Sequence, residues 1–392
     1  KAKIYVKFVK NYDGPQDLYF DFVINKFSLE NATPTYDTLF GHVFDGHKHQ
    51  VLVSSVKFVD RNGGEHEITN LKTTYSRNGY DDDDELLLVN AGEVLLTVET
   101  TDKNFEGQIT TSFVIAKANI QNLNIELQSD ASVYVFKNKQ ITPTFVASYN
   151  GYVATEELGD FEVSYGENIN VSDGGTIILT PTENGNFEGS PLVVRFDITK
   201  RNIQNALMDI GVQTEFVYTG SKIVPQNISL SDAGVEISEL LLNVDYTLDD
   251  ITSNIYPGTV TVYARGIGNY EGTIFKNYTI VARSFADVVF EWIDENGIEI
   301  SVWTDSNGIE RNYPVFTYTT QQHTPRFRLT YKKDGVEEVL VAGSSRDFEF
   351  EYKNNKNAST SATLENKPTL FVKGVLGYGG NNSIQKTFEI EP

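Results

Sequence analysis

Asn269-Tyr270-Glu271-Gly272, followed after five residues by Tyr278-Thr279-Ile280, decides the fold because it is one copy of a repeating signal. The other tetrapeptides are Asn11-Tyr12-Asp13-Gly14, Asn104-Phe105-Glu106-Gly107, Asn186-Phe187-Glu188-Gly189 and the degenerate Gly377-Tyr378-Gly379-Gly380. Each precedes a strand end of the form aromatic-x-Ile, closing at Ile24, Ile115, Ile198, Ile280 and Ile390. The intervals between these isoleucines are 91, 83, 82 and 110 residues, too long for a solenoid unit and right for one small domain per repeat.

Upstream of each closing signal lies an anchor, an aromatic strand running into a polar turn and then an apolar residue or proline. Its fullest form is Phe216-Val217-Tyr218-Thr219-Gly220-Ser221-Lys222-Ile223-Val224-Pro225. The counterparts are Val43-Phe44-Asp45-Gly46, Tyr134-Val135-Phe136-Lys137-Asn138 and Phe316-Thr317-Tyr318-Thr319. Between anchor and closing signal come an acidic-aromatic strand such as Asp245-Tyr246-Thr247-Leu248, a polar loop, and a period-two strand such as Thr259-Val260-Thr261-Val262-Tyr263. Six or seven short strands per copy with frequent turn signals are the pattern of a β-sandwich. The expected architecture is all-β, with tandem Ig-like Greek-key β-sandwich domains arranged as an elongated rod.

Composition agrees. The chain has 392 residues, with 24 Phe and 21 Tyr against one Met, a bias toward side chains that suit a pleated surface. A net charge of −22 repels phosphate backbones and anionic membrane surfaces, so nucleic acid is not an expected partner. With no cysteine there is neither a disulfide framework nor a thiolate site, which fits a cytosolic protein or an exported Gram-positive one. No apolar run is long enough to cross a membrane, so no direct membrane insertion is expected of this segment; it contains no signal-peptide pattern and opens with Lys1 instead of Met. A processed product or an excised piece is the expectation.

The repeat divides the chain into residues 1–25, the last strands of an incomplete preceding copy; 26–116, 117–199 and 200–282, repeats 1 to 3; and 283–392, a longer and divergent repeat 4. Junctions such as Ile198-Thr199-Lys200-Arg201-Asn202-Ile203 are short and free of glycine and proline. Neighbouring domains are therefore expected to touch, giving a semi-rigid rod on the order of 140 Å from strands rising ~3.4 Å per residue. Residues 1–25 invite two readings, a cut through a longer array or strands that pair with a partner chain.

Repeat 3, and less closely repeat 2, resembles the bacterial Ig-like repeats called MBG or YDG domains. The residues that carry the likeness are Tyr218 to Pro225, Asp245 to Leu248, Pro257-Gly258-Thr259-Val260-Thr261-Val262, Gly266 to Thr273 and Tyr278 to Ile280. The resemblance implies an extracellular protein of the bacterial cell surface and cell wall, and it brings no catalytic residues.

Candidate sites are few. His42, His47 and His49 cluster, and two imidazoles at i and i+2 suit Zn or Ni, although a solvated polar hairpin is the simpler reading. Asp81, Asp82, Asp83 and Asp84, with Glu85, form a hard-oxygen run that could hold Ca²⁺ but lacks the alternating spacing of a calcium loop. Trp292 and Trp303 occur only in repeat 4 and could stack on a sugar ring, while an inward Trp is commoner in a sandwich. No hydrolase, zinc-protease or phosphate-loop motif is present, and no enzyme activity is expected.

The functional expectation is a non-enzymatic, secreted stalk or adhesin segment that projects or forms a binding face for a host-surface or glycan ligand. Two alternatives stand beside it. One is a structural subunit of a filament, S-layer or phage appendage whose neighbouring copies join by strand exchange; the other is an ancillary glycan-binding module of a polysaccharide-active enzyme.

Overall fold

The computed structural model describes residues 2–10, 18–358, 366–379 and 382–392. The first tetrapeptide, Asn11 to Gly14, and the last glycine of the fifth, Gly380, lie outside the described residues. Helix among the described residues is confined to short 3-10 turns, and the rest of the regular structure is strand. The chain forms tandem β-sandwiches and divides into two compact units, Lys1–Val135 with Gln140–Ile198 and Phe136–Lys139 with Thr199–Pro392.

In the first unit, repeat 1 builds one antiparallel sheet from Thr33–Tyr36, Val53–Val59 and Glu65–Ile68 and a second from Leu71–Ser76, Gly92–Thr100 and Ile109–Ile115. Repeat 2 does the same with Asn124–Leu127, Phe145–Tyr149 and Tyr152–Ala154, then Phe161–Tyr165, Gly175–Pro181 and Leu192–Phe196. Alternation explains which face turns in: along Gly92–Thr100 the buried residues are Val94, Leu96 and Val98. Each such side chain contributes roughly 1.5–3 kcal/mol on leaving water. A hairpin of Ala2–Tyr5 and Tyr19–Phe22 precedes repeat 1.

In the second unit, repeat 3 pairs Leu207–Asp209, Ser229–Ser231 and Glu239–Leu240, and its other sheet joins Tyr246–Leu248, Gly258–Gly266 and Thr273–Val281. The apolar stretch Ile237 to Leu242, legible as a helical turn or as a loop feeding a strand, is the latter. Repeat 4 pairs Val288–Trp292, Phe327–Lys333 and Val336–Val339, then Phe348–Lys353, Thr369–Gly374 and Ser383–Thr387. Its extra length is spent partly on a hairpin of Trp303–Thr304 with Glu310–Arg311. The buried Asp305 carboxylate accepts from the Asn307 and Ile309 N–H groups and from Arg311, which closes that turn and holds its carboxyl below the usual range.

One strand crosses between the layers, and it is the anchor. In repeat 3, Glu215–Val217 runs parallel to Thr279–Val281, with Tyr218 N–H donating to Val281 O at 2.9 Å. In repeat 4, Val315–Thr317 runs parallel to Glu389–Glu391, and Tyr318 N–H donates to Glu391 O at 2.8 Å. Phe44 N–H donates to Ala116 O at 2.8 Å and Phe136 N–H to Thr199 O at 2.9 Å. The four anchor aromatics, Phe44, Phe136, Tyr218 and Tyr318, are therefore equivalent in register, each bonded to the residue after a closing isoleucine.

A buried Asn pins the chain just past the anchor. Asn168 Nδ2 donates to Ile141 O, Asn254 Nδ2 to Ile223 O and Asn355 Nδ2 to His323 O, while the N–H groups of Ile141, Ile223 and His323 donate back to the Asn carbonyls. In repeat 1 the corresponding bond runs from His49 N–H to Leu88 O at 2.7 Å. His49 and His323 thus stand where other copies have isoleucine.

Candidate functional site: the joints between repeats

Each repeat opens on a residue whose N–H donates into its own closing tetrapeptide: Phe27 to Asn104 O, Ala118 to Asn186 O, Arg201 to Asn269 O and Arg283 to Gly377 O, at 2.9 to 3.0 Å. The next residue, Ser28, Asn119, Asn202 or Ser284, caps a 3-10 turn by accepting from the N–H two residues on. The first residue of that turn, Leu29, Ile120, Ile203 or Phe285, is buried. These short junctions are thus capped turns and not extended linkers, and the Ser or Asn before an apolar residue was the signal that could have disclosed them.

Opening residue and closing ring lie together, and a third position joins them near the end of the second strand of the repeat: Phe58, Tyr149, Asp232 and Tyr331. The resulting sets are Phe27, Phe58 and Phe105 in repeat 1; Ala118, Tyr149 and Phe187 in repeat 2; Arg201, Asp232 and Tyr270 in repeat 3; and Arg283, Tyr331 and Tyr378 in repeat 4. Each set forms a socket, and in repeats 2 to 4 the anchor aromatic of the preceding repeat is its plug.

In the first unit Phe44 enters the socket of repeat 2. Its ring lies edge-on to Phe187 at 5.4 Å and to Tyr152 at 5.0 Å, and stacks toward Tyr149 at 6.4 Å. Phe44 and Phe187 are both fully buried. A polar layer flanks the rings: Asn186 Oδ1 accepts from Ala91 N–H at 2.8 Å, and its Nδ2 donates to Asn90 Oδ1 and to Asp160 Oδ1, each at 3.1 Å. Tyr152 OH donates to the buried Asp160 Oδ2 at 2.8 Å, and burial beside that carboxylate raises the phenol well above its ordinary range.

In the second unit Phe136 meets Tyr270 edge-on at 5.6 Å, and Lys137 O accepts from Glu236 N–H at 2.9 Å. Arg201 and Asp232 form a bidentate ion pair in that socket, and the guanidinium holds the Asp232 carboxyl below its usual range. Tyr218 enters the socket of repeat 4, edge-on to Tyr378 at 6.2 Å and stacked on Tyr256 at 6.1 Å. The nearly buried Arg283 guanidinium lies 4.5 Å over Tyr331, 5.6 Å from the Tyr218 ring and 5.7 Å from that of Tyr378. It donates to Glu338 Oε2 at 2.6 Å and to Tyr378 OH at 2.8 Å. Burial pushes the phenol of Tyr378 up to about 12 and does the same to Tyr270.

The degenerate tetrapeptide acquires a cause here. Gly377 stands where other copies have Asn, and a β-carbon on it would overlap the Tyr218 ring. The larger, hydroxylated plug needs that space.

The residues singled out by type are elsewhere. Trp292 is not available to stack on a ligand: it ends the inward face of its strand and sits in the core of repeat 4 with Leu329, Leu370 and Tyr378. Trp303 packs on Phe316 at 5.6 Å with its Nε1 buried and without a partner, so it is no open platform either. Asp84 caps the turn Glu85–Leu88 by accepting from Leu86 N–H. Asp45 draws His47 to 3.5 Å and His49 to 3.2 Å. Among the described residues no three His, Asp or Glu side chains come together as a metal site, the run Asp81, Asp82, Asp83, Asp84 included. Half-buried Phe371 and exposed Phe350 line a cleft of about 660 Å³ on the last sheet of repeat 4 with Glu349, Glu351, Lys373 and Gln385.

No family model and no curated protein matches the chain. Among solved structures, a protocadherin gamma B4 extracellular domain is similar at 10% identity and a TM-score of 0.18, covering 92% of this chain and 67% of that one. Domains 4–9 of the surface layer protein SbsC are similar at 10% identity and a TM-score of 0.20, covering 91% and 65%. The M60 catalytic domain with two CBM51 domains of Clostridium perfringens ZmpB follows at 11% identity and a TM-score of 0.15, covering 86% and 45%. Scores this far below 0.5 leave the fold to be read from the strands themselves.

Proposed function

We propose that the chain is a non-enzymatic stalk segment of an extracellular bacterial surface protein, whose repeats hold a binding face for a host-surface or glycan ligand at a set distance. The observation that carries this reading is the plug and socket. The two most repetitive features of the sequence, anchor aromatic and closing aromatic, are spent on docking one repeat to the next. A binding module that needed only independent domains would not have to repeat both halves of a joint. Partial burial of a ring pair contributes about 0.5–1.5 kcal/mol beyond its area, enough to bias an orientation. Ligand contact is assigned to the Phe371 cleft of repeat 4, where that ring and Phe350 lie among polar side chains.

The test is orientational. In isotopically labelled chain, residual dipolar couplings of repeats 3 and 4 should fit one alignment tensor, and Tyr218→Ala should split them into two while leaving each repeat folded. Two tensors in the unaltered chain would sink the stalk reading. Glycan-array binding by the full chain, lost in Phe371→Ala, is the expected sign of the adhesive face.

A further inference from the structure

The hairpin before repeat 1 has the last two strands of a sandwich and exposes what every other copy buries. Ile24 is 74% exposed, whereas Ile115, Ile198, Ile280 and Ile390 are at most 3% exposed; Phe22 is 42% exposed against 9% or less for its counterparts. In repeats 3 and 4 the edge beside the equivalent residues is taken by the anchor strand. Thr279 N–H donates to Thr214 O and Tyr218 N–H to Val281 O; Glu389 N–H donates to Pro314 O and Tyr318 N–H to Glu391 O. The matching groups on the hairpin are the Val23 N–H and the Asn25 carbonyl. Beyond them stands the socket of repeat 1, with Phe27 4.4 Å from Phe58 and Phe58 5.4 Å from Phe105, edge-on.

We infer that Val23 to Asn25 and the Phe27, Phe58, Phe105 socket together form an acceptor site for an extended anchor-type strand, lying parallel to Val23 and Ile24 and placing one apolar ring against Phe105. The occupied joints of the same chain specify this occupant. They require a three-residue parallel ladder followed by an aromatic whose N–H reaches the carbonyl after the closing residue. They also specify the ring. Where the plug is Tyr218, the socket offers Arg283 and a glycine; where it is Phe44, rings and Ala118; and where it is Phe136, Tyr270 beside an Arg201 already bound by Asp232. The three rings of the first socket carry no polar atom to meet a phenol, so its plug is Phe in preference to Tyr.

The test uses the full chain and a fluorescent peptide of residues 131–142, which carries the Phe136 anchor. Polarisation should rise on titration with the chain. Phe136→Ala in the peptide, or Ile24→Lys in the chain, should weaken binding about tenfold or more, and Phe136→Tyr should weaken it severalfold. Ile24→Lys alters an exposed side chain and leaves the sandwiches of repeats 1 to 4 intact. Phe105→Ala is the second variant, read beside a thermal melt. Absence of binding, or binding equal in the Ile24→Lys chain, overturns the proposal. So does peptide-independent dimerisation that Ile24→Lys abolishes, because the face would then belong to a second hairpin.

Discussion

The joint of Phe44 with repeat 2 and the joint of Tyr218 with repeat 4 share a backbone and differ in chemistry. Both plugs donate their N–H to the residue after a closing isoleucine, and both rings meet a closing aromatic edge-on. The first surrounds its rings with an Asn186 and Asp160 hydrogen-bond layer; the second puts Arg283 between three tyrosines and pairs it with Glu338. Strand register therefore sets where the joint is, and a few substituted positions set what holds it. An arginine does not by itself select the plug: Phe136 meets a socket whose Arg201 is already held by Asp232, whereas Arg283 reaches the rings of Tyr218, Tyr331 and Tyr378.

The largest blow to this contrast should come from Arg283→Ala. It removes the cation from beneath three rings, leaves Tyr378 OH buried without its donor and opens a void in the core of repeat 4. Glu338 is half exposed and can turn to water, so the loss should fall at about 2–4 kcal/mol, toward the lower side of a broken buried ion pair. Urea unfolding of the second unit measures it, and Arg283→Lys should recover only part, since an ammonium lacks the planar fork. A loss below about 1 kcal/mol would mean that the rings alone make the joint.

How far the sequence disclosed this divides along physical lines. The closing tetrapeptides and anchors were legible because strand alternation and turn chemistry are local, and the all-β sandwich follows from them. That anchor and closing aromatic meet across a joint was not legible, since nothing in either motif says which other copy it touches. For tryptophan, residue type left two readings open and facing decides between them: Trp292 lies on the inward side of its strand, the commoner of the two. The place of His49 and His323 was not legible either, since both fill a backbone position that isoleucine fills elsewhere.

A smaller effect should separate the joints by space. Gly377→Ala places a methyl where the Tyr218 ring lies, and overpacking of this kind costs about 1–3 kcal/mol. The complementary change in the first unit, Asn186→Ala, strands the Ala91 N–H and removes a partner from Asp160, for about 1–2 kcal/mol. Calorimetry of the two variants should show the transition of one unit shifted in each case. If Gly377→Ala leaves melting unchanged, Tyr218 does not lie over that glycine.

The finest distinction is in pH. Tyr378 has a folded pKa of about 12 because burial penalises the phenolate, against about 10 in an unfolded chain. A raised folded pKa means that its contribution is fully present below about pH 10 and is lost as pH climbs toward about 12, where unfolding releases the proton. The variant Tyr378→Phe has no such proton to release. At neutral pH the variant should be the weaker, by about 1–2 kcal/mol, because Arg283 loses an acceptor. Between about pH 10 and about pH 12 the wild-type chain should fall faster, so the two urea midpoints converge and then cross. Parallel curves would place the Tyr378 hydroxyl in water and remove the phenol from the Arg283 joint, leaving the two joints distinguished by charge alone.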